Sequence, residues 1–253
     1  MRFFPAVLLL VFCLPLTAHN GDIPLLISDH HADHLDFFLR HGADSSSVLL
    51  VLDSHADTTA NEDRNLIGNH NWIHPLGPQT IVWISVIRGL HRGDKLLGFY
   101  KSIAEWGREV EAFSMSLEEL RFMDINLKER EKKLFISVDL DFFYSENQGP
   151  DDIPHVLDSL FEFSSSWTVP VVWAFSLSRP WLPNDAYAWT LLEKSLVWLK
   201  TRPEFGAPQV TLFINNFFDT SLNARAFRNE GLEIPALREE DMPETVRDLL
   251  SAD

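Results

Sequence analysis

Five consecutive apolar residues, Val48-Leu49-Leu50-Val51-Leu52, run straight into Asp53-Ser54-His55-Ala56-Asp57. An unbroken apolar run of strand length predicts a strand buried on both faces, which in soluble proteins means a parallel sheet covered by helices on either side. While the chain stays extended, alternate side chains share a face, so Asp53 and His55 converge. Asp57 joins them where the chain curls out of the strand. Two carboxylates and an imidazole suit a divalent cation. The C-terminal end of a strand is also where open α/β sheets bind their ligands.

A polar loop with solvated side chains would account for one such motif, but the pattern recurs. Leu134-Phe135-Ile136-Ser137-Val138 ends in Asp139-Leu140-Asp141, and Ile23-Pro24-Leu25-Leu26-Ile27 runs into Ser28-Asp29-His30-His31. Between and after these strands the apolar spacing predicts helices over Ala32–His41, Asp94–Glu105, Ile153–Phe163 and Asp185–Lys200, with a short one over Pro243–Leu250. Further strands are expected at Thr80–Val86, Val169–Phe175 and Val210–Ile214, whereas Leu117–Leu120 and Asn126–Lys133 read as charged and exposed. Alternating strand and helix with buried strands predicts an α/β fold, a three-layer α/β/α sandwich on a mostly parallel sheet.

The chain has 253 residues and a formal net charge of −16. Nothing in that balance supplies the basic surface that a nucleic-acid backbone needs. Arg2 followed by the apolar stretch Pro5–Leu16 and the small residues before Ala18 predicts an export signal over residues 1–18, leaving one domain over 19–253 and a secreted or periplasmic product. The apolar stretch is short for a membrane span, so no stable span is expected after signal removal. Cys13 is the one cysteine and lies within the signal, which excludes disulfides, thiolate metal sites and a cysteine nucleophile from the mature chain.

Six candidate metal ligands gather at the strand ends: His30, Asp53, His55, Asp57, Asp139 and Asp141. Four carboxylates and two imidazoles without sulfur suit Mn2+, with Zn2+ or Fe2+ as alternatives. Four carboxylates over-neutralise one divalent ion, and two ions balance them better. Two ions roughly 3.5–4 Å apart can hold a hydroxide nucleophile between them. The reaction class that follows is hydrolysis at a trigonal carbon, of an amide-like or guanidine-like group.

Asp53-Ser54-His55-Ala56-Asp57 and Ser137-Val138-Asp139-Leu140-Asp141 resemble the D-x-H-x-D and S-x-D-x-D ligand motifs of the arginase and agmatinase superfamily, which also includes histone deacetylases. The resemblance implies an arginase/deacetylase-like fold, with Asp53 and Asp139 bridging two ions. His30 and Asp57 would complete one ion, and His55 and Asp141 the other. Together with Ser28-Asp29-His30-His31, Asn71-Trp72-Ile73 and Phe142-Phe143, the motifs look like the UPF0489 family, over roughly residues 23 to 215. That branch includes peptide arginases, so a small-molecule or peptide substrate is implied, cationic in the guanidino case. Arginases continue the second motif with Asp-Pro, where this chain has Phe142-Phe143-Tyr144, and free arginine is not the expected substrate.

His70 and His74 are candidates for the proton shuttle, since an imidazole titrating near neutrality suits protonation of an amine leaving group. His70 lies past Asp57 at an interval similar to that of the arginase shuttle histidine. His31 is a second acid–base candidate, because a His-His pair at this point also occurs in deacetylases, around a single zinc. Asp185 or Glu146 could hold a guanidinium, and Arg179 a substrate carboxylate. Two other readings stay open: a single-zinc deacetylase-like amidohydrolase, and a metal-binding protein of the same fold without turnover.

Overall fold

The computed structural model describes residues 22–60, 67, 70–85, 92–120, 122–123, 129–144, 148–205, 208–211 and 242–251. The expected signal segment and Glu146 lie outside them, as does the part of the last predicted strand beyond Thr211.

Seven strands form one sheet: β1 (Leu25–Ser28), β2 (Val48–Leu52), β3 (Thr80–Ile84), β4 (Glu111–Met115), β5 (Leu134–Asp139), β6 (Val171–Ser176) and β7 (Gln209–Thr211). Their order is β4-β3-β2-β5-β6-β1-β7, and every neighbouring pair is parallel. The helices are α1 (Asp33–Arg40), α2 (Ile73–Leu76), α3 (Arg92–Ala104), α4 (Leu117–Leu120), α5 (Ile153–Ser164), α6 (Asp185–Lys200) and α7 (Glu244–Ser251).

Two hydrophobic clusters cover the two faces of the sheet, as the continuous apolar strands require. On one face Leu50, Leu52, Ile136 and Val138 pack with Val156 and Leu160 of α5 and Leu192 and Leu196 of α6. On the other, Leu49, Val51 and Phe135 pack with Phe38 of α1, Ile73 of α2 and Phe99 of α3. The three-layer α/β/α sandwich predicted from the strand and helix pattern is therefore the observed fold.

Strand alternation decides where the polar strand ends point. Asp53 continues the parity of Leu49 and Val51, and Ser137 and Asp139 continue that of Phe135, so all three lie on the α1–α2–α3 face. Leu52 pairs with Val138, and Asp139 with Ser176. The residues just beyond therefore stand level on neighbouring strands, about 5 Å apart. The chain leaves β1 for β2 by skipping the places of β6 and β5, adds β3 and β4 outward, then returns to fill the gap with β5 and β6, so the order reverses between β2 and β5, where these ends meet.

Several local expectations change. Leu117–Leu120 forms α4, with Leu120 buried against the core rather than exposed. Strand β4 carries a half-exposed edge pattern with Glu111 at its start, which hides it from an apolar-run criterion. Asn184 caps α6, its Oδ1 accepting from the Tyr187 amide at 2.9 Å.

Candidate metal centre

Four contiguous strands, β2, β5, β6 and β1, deliver the polar groups to one point. The backbone of Asp53 is fixed first: its amide donates to the Ile84 carbonyl, and its carbonyl accepts from Trp83 Nε1 at 3.1 Å. Asp139 ends β5 and caps the short 3-10 turn Leu140–Phe143, with Oδ1 accepting from the Asp141 amide at 3.1 Å. That turn brings Asp141 back beside Asp139. Asp57 adopts a left-handed backbone, φ 50°, and Ser178 after β6 does the same at φ 47°. No other non-glycine residue among those described has positive φ. Such strain concentrates where a functional geometry is imposed on the chain.

Two groups of donors result, and Asp53 belongs to both. His31, Asp53 and Asp139 converge on one point, and Asp53, His55 and Asp141 on another, with the donor atoms of each group within 4.8 Å of one another. His31 Nδ1 lies 3.2 Å from Asp53 Oδ2, 2.8 Å from Asp57 Oδ2 and 3.2 Å from Asp139 Oδ2. His55 Nδ1 lies 3.0 Å from Asp141 Oδ2 and 3.6 Å from Asp53 Oδ1. His31 Nδ1, Asp53 Oδ2 and Asp141 Oδ2 are buried and make no hydrogen bond. Adjacent donors around an octahedral ion with bonds of ~2.1 Å stand ~3.0 Å apart, the spacing seen around His31. Orphaned buried atoms at that spacing fit divalent cations.

The remaining lone pairs are held by neighbours. Ser178 Oγ donates to Asp139 Oδ2 at 2.6 Å, Ser54 Oγ to Asp141 Oδ1 at 3.0 Å, and Trp72 Nε1 to Asp57 Oδ2 at 2.9 Å. Trp72 and Trp83, both fully buried, thus donate into the centre. No spacing rule reaches Ser178 from the other motifs. Its signal is only that it follows a buried strand.

The structure brings Asp53, His55, Asp57, Asp139 and Asp141 together around His31 and His55, and it places the His-His pair differently. His31, expected as an acid–base group, faces the carboxylates. His30, expected as the ligand, is buried but in neither donor group, and the charge acting on it is that of Arg179. The turn from Ser28 into α1 is responsible: the amides of Asp33 and His34 already bond back to the carbonyls of His30 and His31, and consecutive residues of a helical turn project roughly 100° apart.

A cavity of about 320 Å3 adjoins the centre, lined among others by His55, Asp57, His70, Trp83, Lys95 and Phe99. His70 is exposed on this wall. His74 packs edge-on against Trp106, 5.2 Å between ring centres, and does not line the cavity. Trp181 stands over His55 on another side, with ring centres 5.3 Å apart. Arg179 is not a surface residue: its Nε and Nη2 grip the Asp29 carboxylate at 2.7–2.9 Å, and Nη1 reaches Asp185 at 3.3 Å. Asp185 is thereby engaged with an internal guanidinium.

Burial and mutual repulsion dominate the electrostatics. Burial, then the charge of Asp53, raises Asp57 and Asp139 above the usual carboxyl range, and burial, then the charge of Asp139, raises Asp141. Burial opposes protonation of His31, but the surrounding carboxylates, Asp139 first, lift it well above 6.5. The Asp141 carboxylate, then that of Asp53, both facing its Nδ1, push His55 up to about 11. Without cations, the cluster holds itself together by borrowing protons.

That has a testable sign. A histidine whose folded pKa is raised stabilises below 6.5 and loses that contribution as pH rises toward the folded value, about 11 for His55. The raised carboxyls act in the same direction, since their ionisation in the folded state is what costs. Metal-free protein is therefore expected to melt progressively lower as pH rises from 7 to 10. The increment from added metal should move oppositely and shrink on acidification, because ligands must be deprotonated to bind. Thermal melts with EDTA or metal across that range check both limbs, and a metal-free melting point that climbs with pH contradicts the assignment.

No family model matches this sequence, and no curated protein resembles it significantly. Among solved structures, an arginase from Medicago truncatula is similar at 13% identity with a TM-score of 0.41, over 70% of this chain and 58% of that one.

Proposed function

We propose that this chain is an exported binuclear metal hydrolase that cleaves a C–N bond in a guanidino or amide substrate, akin to the ureohydrolases and the UPF0489 branch. The observation that carries the reading is the position of Asp53, one carboxylate whose two oxygens face two different imidazoles, at 3.2 and 3.6 Å. A bridging ligand needs that arrangement, and a structural ion pair does not.

In this reading His31, Asp53, Asp57 and Asp139 hold one ion, and Asp53, His55 and Asp141 the other. Mn2+ is the first choice for so oxygen-rich a set, ahead of Zn2+ and Fe2+. When bound, the ions lower the pKa of a water and polarise the substrate. Ser54, Ser178 and Trp72 keep the carboxylates aimed inward. The cavity beside His55 and Asp57 admits the substrate, with the rings of Trp83 and Phe99 excluding water. Trp181, half-exposed over His55, offers a flat face to a planar or cationic group. His70, on the cavity wall, delivers the proton to the departing amine.

The test is metal titration of EDTA-stripped protein by calorimetry, followed by urea and amine release over guanidino compounds, arginine peptides and simple amides. Two ions per chain with turnover are expected. One ion per chain with deacetylation favours the single-zinc reading. Tight binding without turnover on any substrate favours a non-catalytic metal protein, and no binding at all sinks the proposal. His70→Ala should lower kcat by about 10²–10⁴-fold while leaving metal stoichiometry unchanged. A wild-type kcat removes His70 from the mechanism.

A further inference from the structure

Beside the centre, and outside the cavity lining, three polar groups form a chain within the core. His31 Nε2 lies 2.6 Å from Ser137 Oγ, and Ser137 Oγ lies 2.8 Å from His34 Nδ1. All three residues are fully buried. Helix α1 places His34 one turn after His31, so the two rings meet edge-on with centres 4.8 Å apart. Ser137 reaches both because it precedes Asp139 by two residues and shares its face of β5. Trp72 touches both rings, at 4.9 and 5.7 Å between centres, and Phe38 packs on His34 at 5.7 Å.

The hydroxyl of Ser137 has one proton and two imidazole neighbours. It donates to one ring and accepts from the other. If it donated to His31 Nε2, the His31 proton would sit on Nδ1, the atom that faces three carboxylate oxygens. That nitrogen would then have no lone pair for a cation. If it donates to His34 Nδ1, His31 Nε2 carries the proton and Nδ1 presents its lone pair to the carboxylates. With the His34 proton on Nε2, its Nδ1 accepts from Ser137 and selects the second arrangement.

We infer that His34 is a positioning residue for the metal centre: acting through Ser137, it fixes the tautomer of His31 so that Nδ1 is free to ligate. The inference rests on the metal reading above. It assigns a role to a histidine that touches neither ion nor substrate.

The experiment measures Mn2+ affinity of EDTA-stripped protein by calorimetry for wild type, His34→Leu and His34→Asn, with melting temperatures of the metal-free forms alongside. Leucine removes the acceptor. Asparagine can restore it, since its side-chain oxygen lies near the position of Nδ1. The leucine variant is expected to bind Mn2+ 10–100-fold more weakly, the range typical of losing a partner behind a ligating histidine. The asparagine variant should stay within about threefold of wild type by the same measure. A leucine variant that melts lower yet binds Mn2+ like wild type overturns the inference and reduces His34 to packing. Equal losses in both variants overturn it too. Nitrogen NMR of the histidine rings in Zn2+-loaded wild type needs no variant to fold: a proton on Nε2 of His31 is expected, and a proton on its Nδ1 is fatal. Failure of wild type to bind any metal would instead strike the functional reading itself.

Discussion

Asp53→Asn is expected to abolish binding of two ions per chain and, with it, any metal-dependent hydrolysis. Among the described residues, no other substitution removes a donor from both groups at once, because Asp53 alone of them faces both His31 and His55. Loss of an outer-shell partner typically costs 10–100-fold in metal affinity, so loss of a shared ligand should exceed about 100-fold. Asparagine keeps the shape and can still accept the His55 amide proton that now reaches Oδ1 at 2.7 Å. Folding should therefore survive. Removing the Asp53 charge relieves the raised carboxyls at Asp57 and Asp139 but also withdraws a carboxylate from His31 and His55, so the metal-free variant should melt close to metal-free wild type. Lost metal binding with a little-changed metal-free melting point separates a ligand from a structural residue. An Asp53→Asn protein that binds two ions with wild-type affinity would end the binuclear interpretation.

Much of this was legible in the sequence because parallel strands buried on both faces leave few alternatives. Val48–Leu52 and Leu134–Val138 gave two strands, and their parity alone puts Asp53 and Asp139 on one face. The helices that cover the sheet followed from ordinary apolar spacing. What local pattern could not supply was the direction of a turn. His30 and His31 are adjacent, and which ring meets the carboxylates depends on how the chain enters α1, a tertiary outcome. Ser178, Trp72 and Trp83 were illegible for a related reason: each reaches the centre through a single side-chain donor, and nothing in their sequence neighbourhood marks it. His34 reads as one more residue on the buried face of a short helix until Ser137 is seen beside it. Arg179 read as a candidate for a substrate carboxylate because its partner, Asp29, lies 150 residues away in sequence.

Arg179→Met is expected to produce the largest loss of stability. The guanidinium binds Asp29 through two nitrogens, with side chains only 4% and 0% exposed. Burial raises the Asp29 carboxyl even with Arg179 hydrogen-bonded to it, so the pair sits where a lone carboxylate is costly. Breaking a buried pair by removing one partner typically costs about 3–5 kcal/mol, most of it the penalty on the charge left behind. For a domain of this size that corresponds to a fall on the order of 10 °C in Tm. The contact to Asp185 adds little, because that carboxylate is half-exposed and screened. The pair also ties Asp29, at the end of β1, to the segment after β6, where the Ser178 amide bonds the Asp29 carbonyl at 3.0 Å and its hydroxyl bonds Asp139. Loosening it should therefore weaken metal binding as well as the fold. Asp29→Asn combined with Arg179→Met removes both charges and should recover most of the lost stability. A single Arg179→Met variant that melts within 2 °C of wild type, a shift of about 1 kcal/mol or less, would show that the Asp29 charge is accommodated without its partner, and the rigid link between β1 and the Ser178 segment would have to be abandoned.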